Sequence, residues 1–234
     1  VMKRTLVAAL VVVAVAAGFY FGRPDRVQPV PPSSSAAVEL VGATLLDGLG
    51  DYSFPVTTSN PEAQRWFNQG LMLAYGFNHD AAERSFMKAT ELDPGCAMCW
   101  WGAALVLGPH VNSGMEPSSN ANAWSRLQRA VALAPKSTER EQAFIRALSA
   151  RYGENPPDDR RPLDEAYAAA TGQLVAARPD DLDAAVFHAE AMMDLQPWDF
   201  YDEQLRPKGN TARIVAELES VMARNPDHAG ALHL

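Results

Sequence analysis

The sequence predicts an all-α protein built as a solenoid of paired helices, and three observations support this fold class. Trp100 follows Trp66 by one period of 34 residues, a spacing typical of helical repeats. The phrases ELDP, ALAP, AARPD and ARNPD recur along the chain as one kind of helix end. Small and apolar residues lie at helical spacing between these ends. Because one helix pair cannot bury its own apolar face, neighbouring pairs are expected to stack.

The chain is expected to have three parts, and the first is a membrane segment at residues 1–22. A basic pair precedes an apolar run from Leu6 to Phe21, a pattern typical of a signal anchor. Positive charge on that side predicts that the N-terminus stays in the cytoplasm. We therefore expect a single-pass protein of a bacterial inner membrane, with the rest of the chain in the periplasm. Cleavage near residues 14–16 is the alternative, and it would release the chain into the periplasm.

The other two parts are a linker rich in Pro, Ser and Gly at residues 23–50 and a helical-repeat domain at residues 51–234. Ser59 or Asn60, followed by Pro61, predicts the first helix start of this domain, because Ser and Asn are good N-caps and Pro fits the first turn. The last repeat stops inside its first helix at Leu234, so we expect the chain to continue into further helices.

Composition and motifs argue against two classes of function. The net charge of -8 and the pI near 5.1 are unlike the clustered basic surface that nucleic acid requires. The zinc-protease, P-loop, G-x-S-x-G and dinucleotide-binding glycine motifs do not occur in the sequence. We therefore expect neither nucleic-acid binding nor catalysis.

The first helix pair carries the most complete repeat pattern. Its residues are Trp66, Gly70, Leu73, Ala82, Phe86, Ala89 and Pro94. This spacing resembles the tetratricopeptide repeat (TPR), which implies a right-handed superhelix of helical hairpins. Weaker copies predict further helices around residues 138–151, 163–177, 181–195 and 210–224.

Longer motifs extend this resemblance beyond the generic repeat. CAMCWWGAALVLGPHVN, together with QPWD and the RPKG that follows it, is similar to a family of bacterial TPR proteins. The resemblance covers roughly residues 52–234. It implies the fold described above and no established activity, because most members of that family are known only as open reading frames.

Three hairpins carry additional residues in the turn between their two helices. These insertions lie at residues 108–120, 153–162 and 196–209, and we name them the first, second and third insertions. In a solenoid such turns lie along one edge, so the insertions are expected to cluster. Long loops in a compact array often carry function, and tolerated surface insertion is the other interpretation.

The two cysteines of the chain, Cys96 and Cys99, are predicted to lie at the start of a helix. Three uses fit a C-x-x-C pair there: a small disulfide, disulfide exchange, or two soft ligands for copper or zinc. Covalent haem is disfavoured because Trp100 stands where such a site requires His. Histidines that could complete a metal site are His79, His110 and His188, although His110 lies too far along the helix from Cys99 to share one ion with it.

The repeat pattern also predicts a partner-binding groove on the concave face. The predicted groove residues are Phe67, Leu71, Met98, Trp101, Leu105, Arg146 and Glu190. A protein or peptide could bury side chains against the aromatic residues while Arg146 binds a carboxylate. The alternative is that these aromatic residues pack against the segment YSFPV or against further C-terminal repeats.

These observations favour a membrane-anchored periplasmic scaffold that binds a protein or peptide, without catalysis or cofactor. The alternative is a periplasmic protein that binds copper or zinc, or exchanges disulfides, through Cys96 and Cys99.

Overall fold

A computed structural model describes residues 43–234, and within this range the protein is all-α, as the sequence predicts. The range contains no β-strand and only two isolated bridges, His110 with Ser113 and Tyr201 with Pro207. Its α-helices are α1 (Pro61–Tyr75), α2 (His79–Leu92), α3 (Ala97–Leu105), α4 (Asn120–Leu133), α5 (Glu139–Leu148), α6 (Arg161–Ala177), α7 (Leu182–Asp194), α8 (Thr211–Arg224) and α9 (Ala229–His233).

The membrane segment predicted at residues 1–22 lies outside the described residues. Within residues 43–234, no helix is long and apolar enough to span a bilayer. The end of the predicted linker is part of the fold, because the Leu46 amide donates to Gln69 Oε1 at 2.7 Å and Gln69 Nε2 donates to the Thr44 carbonyl at 2.9 Å. The linker predicted at residues 23–50 therefore ends earlier than the sequence suggested.

Local capping fixes the starts of α1 and α5, and the start of α1 is the one predicted from the sequence. The Asn60 side chain accepts a hydrogen bond from the Glu62 amide, and Pro61 occupies the first turn of α1. At the start of α5, Thr138 and Glu141 form a capping box that satisfies two amide groups. Because these contacts are local in sequence, the helix boundaries follow directly from residue type.

Consecutive helices pack against each other along the chain, and Phe86 of α2 lies where the first three helices meet. A Cβ atom added at Gly70 would lie 2.8 Å from the Phe86 ring, and one added at Gly102 would lie 2.4 Å from it. Larger residues at these two positions would therefore clash with the ring. Gly70, a member of the predicted repeat pattern, thus allows α1 to approach α2 closely.

The last helix returns to the first, since α9 packs against α1 and α7. The carboxylate of Asp183 lies at this junction, where it accepts hydrogen bonds from Tyr75 at 2.8 Å, from Arg140 at 2.9 Å and from the Tyr52 hydroxyl. His228 Nε2 lies 3.5 Å from the same carboxylate. One buried anion thus links the segment before α1 to α1, α5, α7 and the start of α9.

Candidate functional site: the loop-edge pocket

Most of the predicted groove residues belong to the hydrophobic core. Phe67, Leu71, Met98, Trp101 and Leu105 are each 5% exposed or less. Arg146 is exposed and Glu190 is partly buried. The prediction of an open groove at these five apolar residues is therefore wrong, because other parts of the chain cover them.

The segment YSFPV supplies much of that cover, as the alternative interpretation proposed. The Phe54 ring lies 5.6 Å from the Phe67 ring and 5.4 Å from the Phe144 ring, and Phe54 is fully buried. The guanidinium of Arg140 lies 3.8 Å above the outer face of Phe54. Trp101 is closed off separately, because its ring packs against Phe144 and Phe187 and its indole N–H donates to the Phe144 carbonyl at 3.2 Å.

Cys96 and Cys99 form a disulfide across the start of α3, with their Cα atoms 5.3 Å apart. Both residues are fully buried, and Cys96 Sγ accepts a hydrogen bond from the Cys99 amide at 3.1 Å. The closed disulfide leaves no thiolate to bind a metal, and burial keeps external thiols from attacking the sulfurs. Of the three uses predicted for the pair, the structure contains the disulfide.

Removal of this disulfide is expected to lower the free energy of unfolding by about 2 kcal/mol, the entropy contribution of a four-residue closed loop. Cys96→Ser/Cys99→Ala is the suitable variant, because serine retains an N-cap acceptor for α3. Urea unfolding of the wild type and the variant measures the difference. Equal stability would show that the disulfide does not stabilise the start of α3.

The structure brings His79 and His110 together and gives His188 a different partner. His188 of α7 is buried and its Nδ1 lies 2.7 Å from Glu217 Oε2. Because α3 ends at Leu105, His110 lies in the first insertion rather than on the cysteine helix, and its ring is 4.3 Å from the ring of His79. Among residues 43–234, no group of three or more His, Cys, Asp or Glu side chains is arranged to hold a metal ion.

The three insertions cluster at one edge, which confirms the prediction from the repeat pattern. Asn120 Nδ2 at the end of the first insertion donates to the Gly153 carbonyl of the second at 3.0 Å. Arg161 Nη1 in the second donates to the Leu195 carbonyl, just before the third, at 3.3 Å. Hydrogen bonds therefore join the three turns into one continuous surface.

The first and third insertions, together with α8, Phe77, Met193 and residues 233–234, line an apolar pocket of about 430 Å³, which we name the loop-edge pocket. Its lining includes Phe77, Val111, Asn112, Met193, Trp198, Tyr201, Ile214, Val215, Leu218, His233 and Leu234. Three of these apolar side chains are exposed at its rim, with Trp198 73%, Tyr201 50% and Val215 38% accessible to solvent. Large exposed apolar side chains grouped around a concavity are typical of a binding surface.

The backbone around this pocket is held in an unusual conformation. Among residues 43–234, the non-glycine residues with positive φ are Phe77 at 54°, Trp198 at 60° and Leu205 at 58°. This conformation costs roughly 1–3 kcal/mol per bulky residue and persists only where its surroundings enforce it. Phe77 and Trp198 line the loop-edge pocket, and Leu205 lies in the same insertion as Trp198. The strained positions thus concentrate at one place in the molecule.

Hydrogen bonds hold the third insertion in its shape. The Gln196 side chain donates to the Lys208 carbonyl at 3.3 Å and to Thr211 Oγ1 at 3.0 Å, and it accepts from the Asn210 amide at 2.7 Å. Within the loop, Arg206 Nε donates to Asp202 Oδ2 at 2.7 Å. These contacts bring the two ends of the insertion together, so Trp198 and Tyr201 are displayed by an ordered loop.

A buried ionic cluster lies below the pocket, centred on Arg151. Arg151 Nη2 donates to Asp194 Oδ2 at 2.7 Å, and the guanidinium lies 4.5 Å from the ring of Tyr167. Asp194 Oδ1 and Arg151 Nε are buried and have no hydrogen-bond partner within residues 43–234. Burial raises the pKa of Glu190, and burial together with the neighbouring carboxylates of Glu190 and Asp164 holds the pKa of Asp194 well above its usual range, although Arg151 acts in the opposite direction on both.

The histidine pair lies beside this cluster. Burial lowers the pKa of His79 to about 4, and neighbouring His110 and Arg151 act in the same direction. Burial and Arg151 also lower the pKa of His110, so both imidazoles are neutral at pH 7. The Phe77 ring stacks on His110 with their centres 5.4 Å apart. Phe77 therefore separates the neutral histidine pair from the loop-edge pocket.

Sequence reasoning missed this pocket, although one signal for it was present. The third insertion places Trp198, Phe200 and Tyr201 within an otherwise polar turn. Such a concentration of aromatic residues in a loop is unusual and is typical of a binding surface. The exposure of these side chains could not be predicted, because it depends on the conformation of the loop.

The described residues define an all-α protein whose hairpin turns form one aromatic-rimmed pocket. Comparison of the chain with protein-family models, with curated proteins and with solved structures gave no match. Membership of the bacterial TPR family therefore stays a prediction from the motifs.

Proposed function

We propose that this chain is a membrane-anchored periplasmic scaffold, built of TPR-like hairpins in a right-handed superhelix, which binds a protein or peptide partner in the loop-edge pocket. The observation that carries the proposal is the ordered display of Trp198 and Tyr201 around an apolar concavity. The proposed function is the one expected from the sequence. The proposed binding site differs, because it lies at the edge formed by the insertions and not on the concave face.

The superhelix and the periplasmic location rest on separate support. Consecutive helices pack against each other from α1 to α9, as they do in a solenoid of hairpins, and α9 also packs against α1. The Cys96–Cys99 disulfide suits an oxidising compartment such as the periplasm. The disulfide agrees with the location that the predicted N-terminal signal anchor implies.

The occupant that fits the pocket best is an extended peptide segment that inserts one or two large apolar side chains. A volume of about 430 Å³ is in the range of pockets for small ligands and is too small for a whole helix. Burial of the exposed Trp198 and Tyr201 surfaces would contribute about 4–6 kcal/mol before the costs of association. Asn112 and His233 supply polar groups at the lining for the peptide backbone. An aromatic anchor with polar groups beside it is the arrangement of an interface hot spot.

The first experiment selects a random peptide library displayed on phage against the full chain. Selected peptides are then synthesised and their affinities measured by fluorescence polarisation. We expect a shared large apolar residue and affinities that fall at least about tenfold, or about 1.4 kcal/mol, in Val215→Asp. The introduced carboxylate would have to be desolvated by the bound apolar side chain.

Val131→Asp is the matched control. Val131 of α4 is 40% exposed and Val215 of α8 is 38% exposed, but only Val215 lines the loop-edge pocket. Wild-type affinity in Val131→Asp, together with weak binding in Val215→Asp, would support the pocket. Equal affinities for both variants, or a selection that enriches no apolar anchor, would contradict it.

A further inference from the structure

We propose that the partner segment bound at the loop-edge pocket is rich in proline and binds in the polyproline II conformation, with a basic residue at one end. This inference rests on the proposed function and deepens it, because it names the chemistry of the peptide. The prolines pack on the aromatic rim, next to the apolar side chain that enters the pocket.

The residues around the pocket argue against the other common modes of peptide recognition. Residues 43–234 contain no β-strand, so they offer no sheet edge to which a peptide can add as a further strand. A bound helix needs an apolar groove two turns long, which exceeds a pocket of about 430 Å³. The lining contains no Arg or Lys, so it offers no cation to a phosphate or a terminal carboxylate. Recognition of a polyproline II segment by aromatic residues is the mode that remains.

The aromatic rim provides the surface that such a segment requires. Trp198 is 73% exposed and Tyr201 is 50% exposed, and both lie in the third insertion with Phe200 in the pocket lining between them in sequence. Polyproline II segments dock on aromatic-lined surfaces and lose little conformational entropy, because their backbone is already restricted. The pocket takes the apolar side chain, so the exposed rings remain available for the prolines.

The rim also carries hydrogen-bond donors for the peptide backbone. A polyproline II segment has no internal hydrogen bonds, so its carbonyl groups are free to accept. The indoles of Trp100 and Trp101 donate to carbonyls of the fold, whereas the Trp198 indole and the Tyr201 hydroxyl bond to no acceptor within residues 43–234. Trp and Tyr at interfaces usually bond through these polar atoms. The two donors therefore match a segment that is rich in acceptors and lacks amide donors at its prolines.

The backbone presents Trp198 at a turn position that favours glycine. The Asp199 amide donates to the Gln196 carbonyl at 3.1 Å, which closes a β-turn with Pro197 at its second position. Trp198 occupies the third position with a φ of 60°. Packing within residues 43–234 does not offset this strain, since the side chain is largely exposed. Contact with a partner gives the strained tryptophan a function.

Exposed negative charge beside the rim favours a basic residue in the peptide. Two of the three carboxylates in the third insertion are paired, with Arg206 and Lys208. The third, Glu203, is exposed and forms no salt bridge within residues 43–234. It follows Tyr201 by two residues, so an Arg or Lys that flanks the prolines can approach it. Because this contact is exposed to water, it orients the peptide and adds little affinity.

The test selects two displayed peptide libraries against the full chain. Both contain large apolar and basic residues, but only one contains proline. We expect the first library to yield peptides with proline beside the apolar residue and a basic residue at one end. Their affinities, measured by fluorescence polarisation, should be at least about tenfold tighter than those from the proline-free library. Replacement of the selected prolines by alanine should lose the same factor.

Variants of the rim test the individual contacts. Trp198→Gly should bind the selected peptides at least about tenfold more weakly without lowering the midpoint of urea unfolding, because glycine fits the turn. Trp198→Phe keeps an aromatic ring and removes the indole N–H, so binding should weaken about fivefold. Glu203→Gln should weaken binding only of peptides with a basic end. Glu139→Gln is the matched control, because Glu139 is an exposed carboxylate of α5 that does not line the pocket.

The outcomes separate this inference from the proposed function. Equal affinities from the two libraries, or prolines that alanine replaces without loss, would overturn the proline-rich partner and leave the pocket as a peptide site. If neither library yields a peptide that Val215→Asp weakens, both proposals fail. Wild-type binding of a peptide with a basic end to Glu203→Gln would contradict the role of the basic residue.

Discussion

Phe54→Ala is expected to lower the free energy of unfolding by about 3–5 kcal/mol, the usual cost of truncating a fully buried phenylalanine. Phe54 has no exposed surface and contacts the rings of Phe67 and Phe144, which belong to different hairpins. Its removal would leave a cavity between them and expose the Arg140 guanidinium to a void. Urea unfolding followed by circular dichroism measures the change.

The size of this effect reports whether the segment YSFPV is a fixed part of the fold. Two helices hold the end of this segment. The Val56 amide donates to Gln64 Oε1 of α1 at 2.9 Å, and the amide of the next residue, Thr57, donates to Glu141 Oε1 of α5 at 2.6 Å. Trp198→Ala is the control, because an aromatic residue with 73% exposure should change stability by less than about 0.5 kcal/mol. A similarly small change in Phe54→Ala would mean that the segment does not cover the concave face in solution, and the open groove would return as a binding surface.

The sequence predicted the helices well because their signals are local. The helix predicted at residues 210–224 is observed as Thr211–Arg224, and the one predicted at 181–195 as Leu182–Asp194. Asp181 caps the Ala184 amide at the start of α7, and Pro226 follows the end of α8, where it removes an amide donor. Such effects act within a few residues, so no tertiary information is needed to predict them.

The burial of the concave face could not be predicted in the same way. Helical periodicity identifies Phe67 and Trp101 as side chains on one face, but it does not say what covers that face. The cover comes from Phe54, thirteen residues before Phe67, and from Phe144 and Phe187 of later hairpins. These contacts depend on the curvature of the whole array.

The histidine pair illustrates the same limit. His79 begins α2 and His110 lies in the first insertion, so their contact depends on how two successive hairpins stack. The sequence identified both residues as possible ligands for a metal site built on the cysteines, and it placed His110 too far along the helix to share an ion with Cys99. The structure separates the two groups, since the cysteines lie at the start of α3 and His110 lies beyond its end.

Arg151→Met is expected to lower the free energy of unfolding by about 3–5 kcal/mol at neutral pH, because it removes the one guanidinium among two buried carboxylates. Arg151 is 3% exposed and bonds Asp194 and the Pro109 carbonyl, so its loss also frees one side of the first insertion. Arg161→Met is the control: Arg161 pairs with Glu165 at 2.9 Å in a largely exposed salt bridge, and its removal should cost about 1 kcal/mol or less.

The pH dependence of Arg151→Met distinguishes lost charge pairing from lost packing. Burial raises the pKa of Glu190 and of Asp194 in the folded protein. Their contribution to the free energy of unfolding is therefore fully present below about pH 4, the pKa of these groups in the unfolded chain, and it is lost as the pH rises through the folded-state pKa. Without Arg151 this loss grows, and urea unfolding should show a larger difference from wild type near pH 7 than near pH 5. Addition of Asp194→Asn to Arg151→Met should restore part of the stability, since it removes one unpaired charge. A difference that is the same at both pH values and unaffected by Asp194→Asn would mean that Arg151 acts through packing alone.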